Sequence, residues 1–98
     1  MKDVQPDFTA RVTLYPTARG GRKSPIIGEW FGCALKFDQA DMSAWDCRLL
    51  TKSERFEPGQ TKSFGITFLT PEIGPVFALV KKFFLWDGRI IGEARRVD

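Results

Sequence analysis

The chain contains no histidine, so the most common general base and the most common metal ligand are both missing from its 98 residues. It has two cysteines, Cys33 and Cys47, and their spacing matches no metal-binding or redox motif. The Gly-x-x-x-x-Gly-Lys-Ser/Thr loop with which many nucleotide hydrolases hold phosphates is also absent. We therefore expect a protein that is not an enzyme and that uses no metal and no cofactor.

Long apolar runs are missing as well. No run is long enough to span a membrane, and the opening MKDVQPDFTA lacks the apolar centre of a signal peptide. We expect a cytoplasmic protein with no membrane partner. Aromatic residues, by contrast, are plentiful: nine Phe and three Trp can fill the core of one small domain. We assign residues 1–98 to this domain, with residues 1–7 as a flexible lead.

Alternation of apolar and polar residues with a period of two predicts β-strands. In residues 7–15, Phe8, Ala10, Val12 and Leu14 share one face. The same alternation, or a less regular β-rich composition that suggests bulges, marks five further segments. These segments are residues 29–37, 44–50, 62–70, 76–86 and 89–97.

Turn residues separate these segments. Pro58–Gly59 and Asp87–Gly88 are turn dipeptides, because Pro presets one turn dihedral and Gly accepts positive φ. No segment carries a helical apolar stripe over three turns. The pattern predicts an all-β fold, either a small barrel or a sandwich.

The two cysteines are predicted to face each other across a hairpin. If the turn is centred near Ala40, Cys33 lies opposite Cys47, and Leu35 lies opposite Trp45. Two hypotheses are open for these thiols. They are either reduced core residues or a redox-active pair that forms a disulfide.

A basic loop with the sequence ARGGRKSPIIG occupies residues 18–28. Its glycines allow a tight turn with exposed N–H groups, and its cations and hydroxyl suit a phosphate. The alternative is a solvated basic connection with no ligand. The residues that would form the phosphate site are Arg19, Gly20, Gly21, Arg22, Lys23 and Ser24.

The loop and two later segments resemble the C-terminal β-barrel of elongation factor Tu and related translational GTPases. That domain opens with a strand that begins in Phe, followed twelve residues later by Gly-Gly-Arg-x-Thr-Pro. Here Phe8 precedes Gly20 by the same spacing, and Ser24 replaces Thr. FEPGQTKSFGITF is similar to the family's Pro-Gly-Asp turn and next strand. KFFLWDGRIIGEA is similar to its closing hairpin.

The resemblance implies a small closed six-stranded antiparallel β-barrel, present here as a stand-alone domain. It also implies contact with the backbone of tRNA, another RNA or a translation component, and it adds Gly88 and Arg89 to the candidate binding residues. The segment LTPEIGPVFALVKK is a few residues longer than the family pattern, which predicts a reshaped loop.

The residues themselves leave two functions open. The chain is either an RNA-binding module or a protein–protein interaction module, as a homo-oligomer or an accessory subunit. KKFFLW is its most apolar short run, and we interpret it as a core strand with a bulge. Trp30 and Trp86 are either core or cross-strand partners or exposed rings that stack on unpaired bases.

Overall fold

The structure, a computed structural model, describes residues 5–97 and confirms the all-β fold. Within these residues, six antiparallel strands close into a barrel in the order β1-β4-β3-β2-β5-β6. The strands are β1 Phe8–Leu14, β2 Phe31–Lys36, β3 Trp45–Leu50, β4 Thr61–Phe68, β5 Lys82–Trp86 and β6 Ile90–Val97.

The antiparallel order gives the barrel two distinct ends. The β1–β2 and β3–β4 connections and the β5–β6 turn all lie at one end, which we call the turn end. The β2–β3 turn and the segment 69–81 lie at the other, which we call the helix end. Both segments that carry predicted binding residues therefore emerge at the turn end.

The inward face of each strand forms one core. The predicted alternation of β1 is confirmed, because Ala10, Val12 and Leu14 are fully buried. At the turn end, Ile26 pairs with Phe56 in an isolated bridge that joins two connections, and both side chains are buried. This bridge holds the long β1–β2 connection against the barrel.

The hairpin register of the two cysteines is confirmed. Cys33 lies opposite Cys47, and Leu35 lies opposite Trp45. Both cysteines are buried free thiols, and their sulfurs lie 3.7 Å apart. The hydrogen bond with Cys47, together with burial, raises the pKa of the Cys33 thiol well above its usual value. The arrangement matches the hypothesis of reduced core residues, since a buried neutral thiol is a poor nucleophile.

The prediction for residues 76–86 is wrong in its first half. The chain forms a 3₁₀ turn at Pro71–Ile73 and a short helix, α1, at Gly74–Ala78, and β5 begins only at Lys82. The two prolines stand in the first turns, where a missing N–H costs nothing. The helix was missed because five residues are too short to show a helical stripe.

The pairing of β5 with β6 shifts register between Leu85 and Trp86. The extra residue is Ile91, so the bulge lies in β6, within the segment 89–97, and not in KKFFLW. Phe83 and Leu85 are fully buried, whereas Trp86 is exposed. KKFFLW is therefore a core strand without a bulge of its own, and ordinary alternation places the side chain of Trp86 outside the barrel.

The predicted flexible lead is only partly covered, because residues 1–4 lie outside the described residues. Asp7 is bound to β4: its backbone N–H donates to the Ile66 carbonyl at 2.7 Å, and its carboxylate accepts from the Phe68 N–H at 2.8 Å. No helix in residues 5–97 has the length and apolar character needed to cross a membrane.

Candidate functional site

The loop that follows β1 is built on a short 3₁₀ helix at Thr17–Arg19. Gly20 ends this helix with φ +88°, a conformation that favours glycine. The next residue, Gly21, is needed for another reason. A Cβ atom placed on it would lie 1.8 Å from the Tyr15 carbonyl oxygen, so a side chain has no room there.

The glycine N–H groups cannot bind a phosphate as the sequence predicted. Gly20 donates to the Thr17 carbonyl at 3.2 Å, and Gly21 donates to the Pro16 carbonyl at 3.1 Å. Both donors are used to close the turn on itself. The two glycines therefore shape the loop, and any ligand must be held by the residues after them.

The closing turn between β5 and β6 reaches this loop. The Arg89 guanidinium donates to the Gly21 carbonyl at 2.8 Å, across 68 positions of the sequence. Gly88 adopts φ +77° with open space around it, which allows the tight turn. The resemblance named Gly88 and Arg89 alongside the loop, and the structure places the two segments in contact.

The two segments enclose an open, mainly polar depression of about 400 Å³. Five of the eight predicted site residues line it, together with Asp87 and Ile91, which the prediction did not include. The lining residues are Arg22, Lys23, Ser24, Asp87, Gly88, Arg89 and Ile91. Arg19 is exposed at the rim of the loop but does not line the depression.

Arg22 is largely engaged in holding the depression together. Its guanidinium forms an ion pair with Asp87 at 3.4 Å and donates to the Ser24 carbonyl at 3.2 Å. It also lies 4.8 Å from the centre of the Phe31 ring. Because half of the Asp87 side chain is exposed, the ion pair is weak and can exchange for another anion.

Lys23 and Ser24 are the unsatisfied donors of the depression. Neither their backbone N–H groups nor the Lys23 ammonium and Ser24 hydroxyl bond to any residue from 5 to 97. Arg19 likewise forms no ion pair within those residues. Successive free N–H groups beside a free cation and a hydroxyl suit an oxyanion such as a phosphate.

A second basic surface lies on the outer faces of three adjacent strands. Register places Lys82 opposite Arg95, and Arg95 opposite Arg11, so three cations form one row across β5, β6 and β1. Like charges directly opposite each other are destabilising. Glu93 offsets part of this by pairing with Lys82 at 3.5 Å. Burial and the hydrogen bond to Glu93 raise the pKa of Tyr15 on the same face.

A groove on the outside of β2, β3 and β5 was not predicted as a site. It measures about 300 Å³ and is flanked by Trp30 and Trp86, which are 41% and 37% exposed. Their exposure contradicts the hypothesis that they are core residues. Gly32 and Ala34 lie between them, and the small side chains leave the groove open. The alternation in EWFGCALKF already put Trp30, Gly32 and Ala34 on one face, which was the available signal.

Comparison with known proteins adds no family to this geometry. No protein-family model matches the chain, and no curated protein sequence matches it. Among residues 5–97, no group of three or more His, Cys, Asp or Glu side chains lies close enough to hold a metal ion. The depression, the basic row and the groove are the features of this chain that bear on its function.

Proposed function

We propose that this chain is a non-catalytic RNA-binding module whose turn end grips the sugar–phosphate backbone. The observation that carries the proposal is the convergence of the basic loop and the closing turn with Arg89 on one depression. Arg22 and Asp87, 65 positions apart, lie in contact there, beside the unpaired donors of Lys23 and Ser24. Side chains and N–H groups of this kind contact phosphates without reading base sequence.

Two further features support an anionic partner. The net charge of +3 favours approach of a polyanion. The row of Lys82, Arg95 and Arg11 concentrates positive charge on one exposed face, and phosphates would relieve the repulsion within it. The resemblance to the elongation factor Tu barrel supports tRNA as the RNA and the cytoplasm as the location, and we take both as part of the proposal.

Binding of bulk tRNA at two salt concentrations tests the proposal. If Arg22, Lys23 and Arg89 each neutralise one phosphate, affinity should fall about 40-fold between about 50 and about 200 mM salt, because bound phosphates release counterions. Lys23→Gln should reduce this fall to about 12-fold by removing one contact. Fluorescence anisotropy of labelled tRNA measures both values.

Lys81→Gln is the matched control for this experiment. Lys81 is exposed at the helix end, just before β5, so its substitution makes the same change in net charge far from the depression. The tRNA affinity of this variant should fall with salt as steeply as that of the unmodified chain. Absence of tRNA binding at the lower salt concentration would refute the proposal.

One observation favours protein–protein interaction as a second candidate function. Met42, Leu69, Val76 and Leu79 are exposed apolar side chains in the two connections of the helix end, and Leu79 is 85% exposed. Exposed apolar side chains in neighbouring connections can form a docking site, here for a second copy of the chain.

Light scattering over a concentration series tests this second candidate. We expect the apparent mass to rise toward a dimer as protein concentration increases. Leu79→Asp should return the chain to a monomer, because it places a charge on an apolar side chain that is 85% exposed at the helix end. A monomer at every concentration would rule out self-association through the helix end.

A further inference from the structure

The groove between Trp30 and Trp86 has the features of a site for a flat ring. Each indole carries a cation over one face: the Arg48 guanidinium lies 4.3 Å from the Trp30 ring centre, and the Lys36 ammonium lies 5.6 Å from that of Trp86. Both rings nevertheless stay more than a third exposed. Exposed aromatic rings beside cations are the usual platform for unpaired bases.

Strand register defines the width of this site. Trp86 lies opposite Ala34, and Ala34 lies opposite Asp46, so the three residues form one row across β5, β2 and β3. Adjacent strands lie about 4.8 Å apart, which puts the backbones of Trp86 and Asp46 about 10 Å apart. Ala34 is only 4% exposed whereas Gly32 is exposed, so the open floor of the groove lies at Gly32, next to this row.

The groove adjoins the basic depression at Asp87. This residue lines both cavities, and it follows Trp86 directly in the chain. A ligand whose ring lies against Trp86 can therefore reach Lys23 and Ser24 with a negatively charged group. A nucleotide unit combines a flat ring with an adjacent phosphate, whereas a proline-rich peptide supplies only the apolar part.

We propose that the groove binds an unpaired base of single-stranded RNA, stacked on Trp86 and hydrogen-bonded by Asp46. This inference rests on the proposed RNA-binding function and adds the form of RNA that is bound. The Asp46 carboxylate forms no ion pair or side-chain hydrogen bond within residues 5–97, so it is available as an acceptor. A carboxylate accepts from the exocyclic amino group of cytosine, which uracil lacks.

Four RNA probes of equal length test the proposal on the full chain. These are an oligocytidylate, an oligouridylate, an abasic ribose-phosphate chain and a base-paired duplex. We expect the oligocytidylate to bind about fivefold more tightly than the oligouridylate because of the Asp46 hydrogen bond. Both should quench tryptophan fluorescence, and the abasic chain and the duplex should bind about tenfold more weakly because they offer no free base.

Variants assign these effects to the groove. Trp86→Ala should weaken oligocytidylate binding about tenfold without changing duplex binding. Trp86→Phe keeps an aromatic ring and should retain most of the affinity of the unmodified chain. Asp46→Asn should remove the preference for cytosine. Gln39→Ala is the control, because Gln39 is exposed in the β2–β3 turn and lines neither cavity, and this variant should bind like the unmodified chain.

The outcomes separate this inference from the proposed function. If the duplex and the oligocytidylate bind equally tightly, and Trp86→Ala changes the affinity for neither, the groove proposal is overturned. The proposal of RNA backbone binding would then still stand. Binding of none of the four probes at low salt would overturn both. A proline-rich peptide that quenches tryptophan fluorescence when the oligocytidylate does not would identify a peptide groove and likewise overturn the proposal.

Discussion

Replacing Phe77 by alanine should lower the free energy of unfolding by about 3–5 kcal/mol. Phe77 is fully buried in the short helix α1, and its ring stacks on Phe37 at 4.2 Å and on Phe68 at 4.9 Å between centroids. A third ring, Phe83, meets it edge-on at 5.6 Å. The substitution would leave a cavity among rings that belong to separate parts of the barrel and cannot collapse together.

The measurement is denaturant unfolding at equilibrium, followed by tryptophan fluorescence. Since such a loss is a large share of the stability of a small domain, Phe77→Leu provides a milder variant that keeps most of the volume. Leu79→Ala is the control within the same segment, because this side chain is 85% exposed and its loss should change stability by less than about 0.5 kcal/mol. Equal stability of Phe77→Ala and Leu79→Ala would contradict the packing of α1 against the core.

Gly21→Ala should have the second largest effect, a loss of about 2–4 kcal/mol in the free energy of unfolding. The added methyl group would lie 1.8 Å from the Tyr15 carbonyl oxygen and 2.9 Å from that of Pro16. Both atoms belong to the backbone, so no side-chain rotation can relieve the overlap. The loop would have to move, which would also break the hydrogen bond from Arg89 to the Gly21 carbonyl.

Gly20→Ala is the matched control in the same turn. Its φ of +88° disfavours a side chain, but nothing lies within 4 Å of the position that a Cβ would take. We therefore expect a loss of about 1 kcal/mol, the ordinary cost of a left-handed conformation. For a domain of this size, each kcal/mol lowers the melting temperature by about 4–8 °C, so thermal unfolding separates the two variants. Similar melting temperatures would show that the loop tolerates displacement at Gly21.

The two glycines show how a structural role can be mistaken for a binding role. Both were predicted as phosphate ligands because a Gly-Gly pair exposes N–H groups. The structure instead uses the N–H of each to close the turn after β1. A loss of RNA binding in Gly21→Ala would therefore report a displaced loop, and Lys23→Gln is the variant that tests the binding role directly.

Much of the barrel could be predicted from the sequence, because a half-buried strand alternates apolar residues on its buried face with polar residues on its exposed face. Phe8 through Leu14 show this alternation, and the turn near Ala40 sets the register that places Cys33 opposite Cys47. Helix α1 was not predicted because one turn of helix shows no periodicity, and its buried side chain Phe77 also fits a strand pattern.

The candidate sites required the tertiary structure for a different reason. The sequence by itself determined the six strands, the basic character of residues 19–23 and the alternation that places Trp30 and Ala34 on one face. Only closure of the barrel brought Asp87 to Arg22 and set Trp86 beside Ala34 and Asp46. Contacts between residues so distant in sequence depend on strand order and register, and those are decided by packing of the whole core.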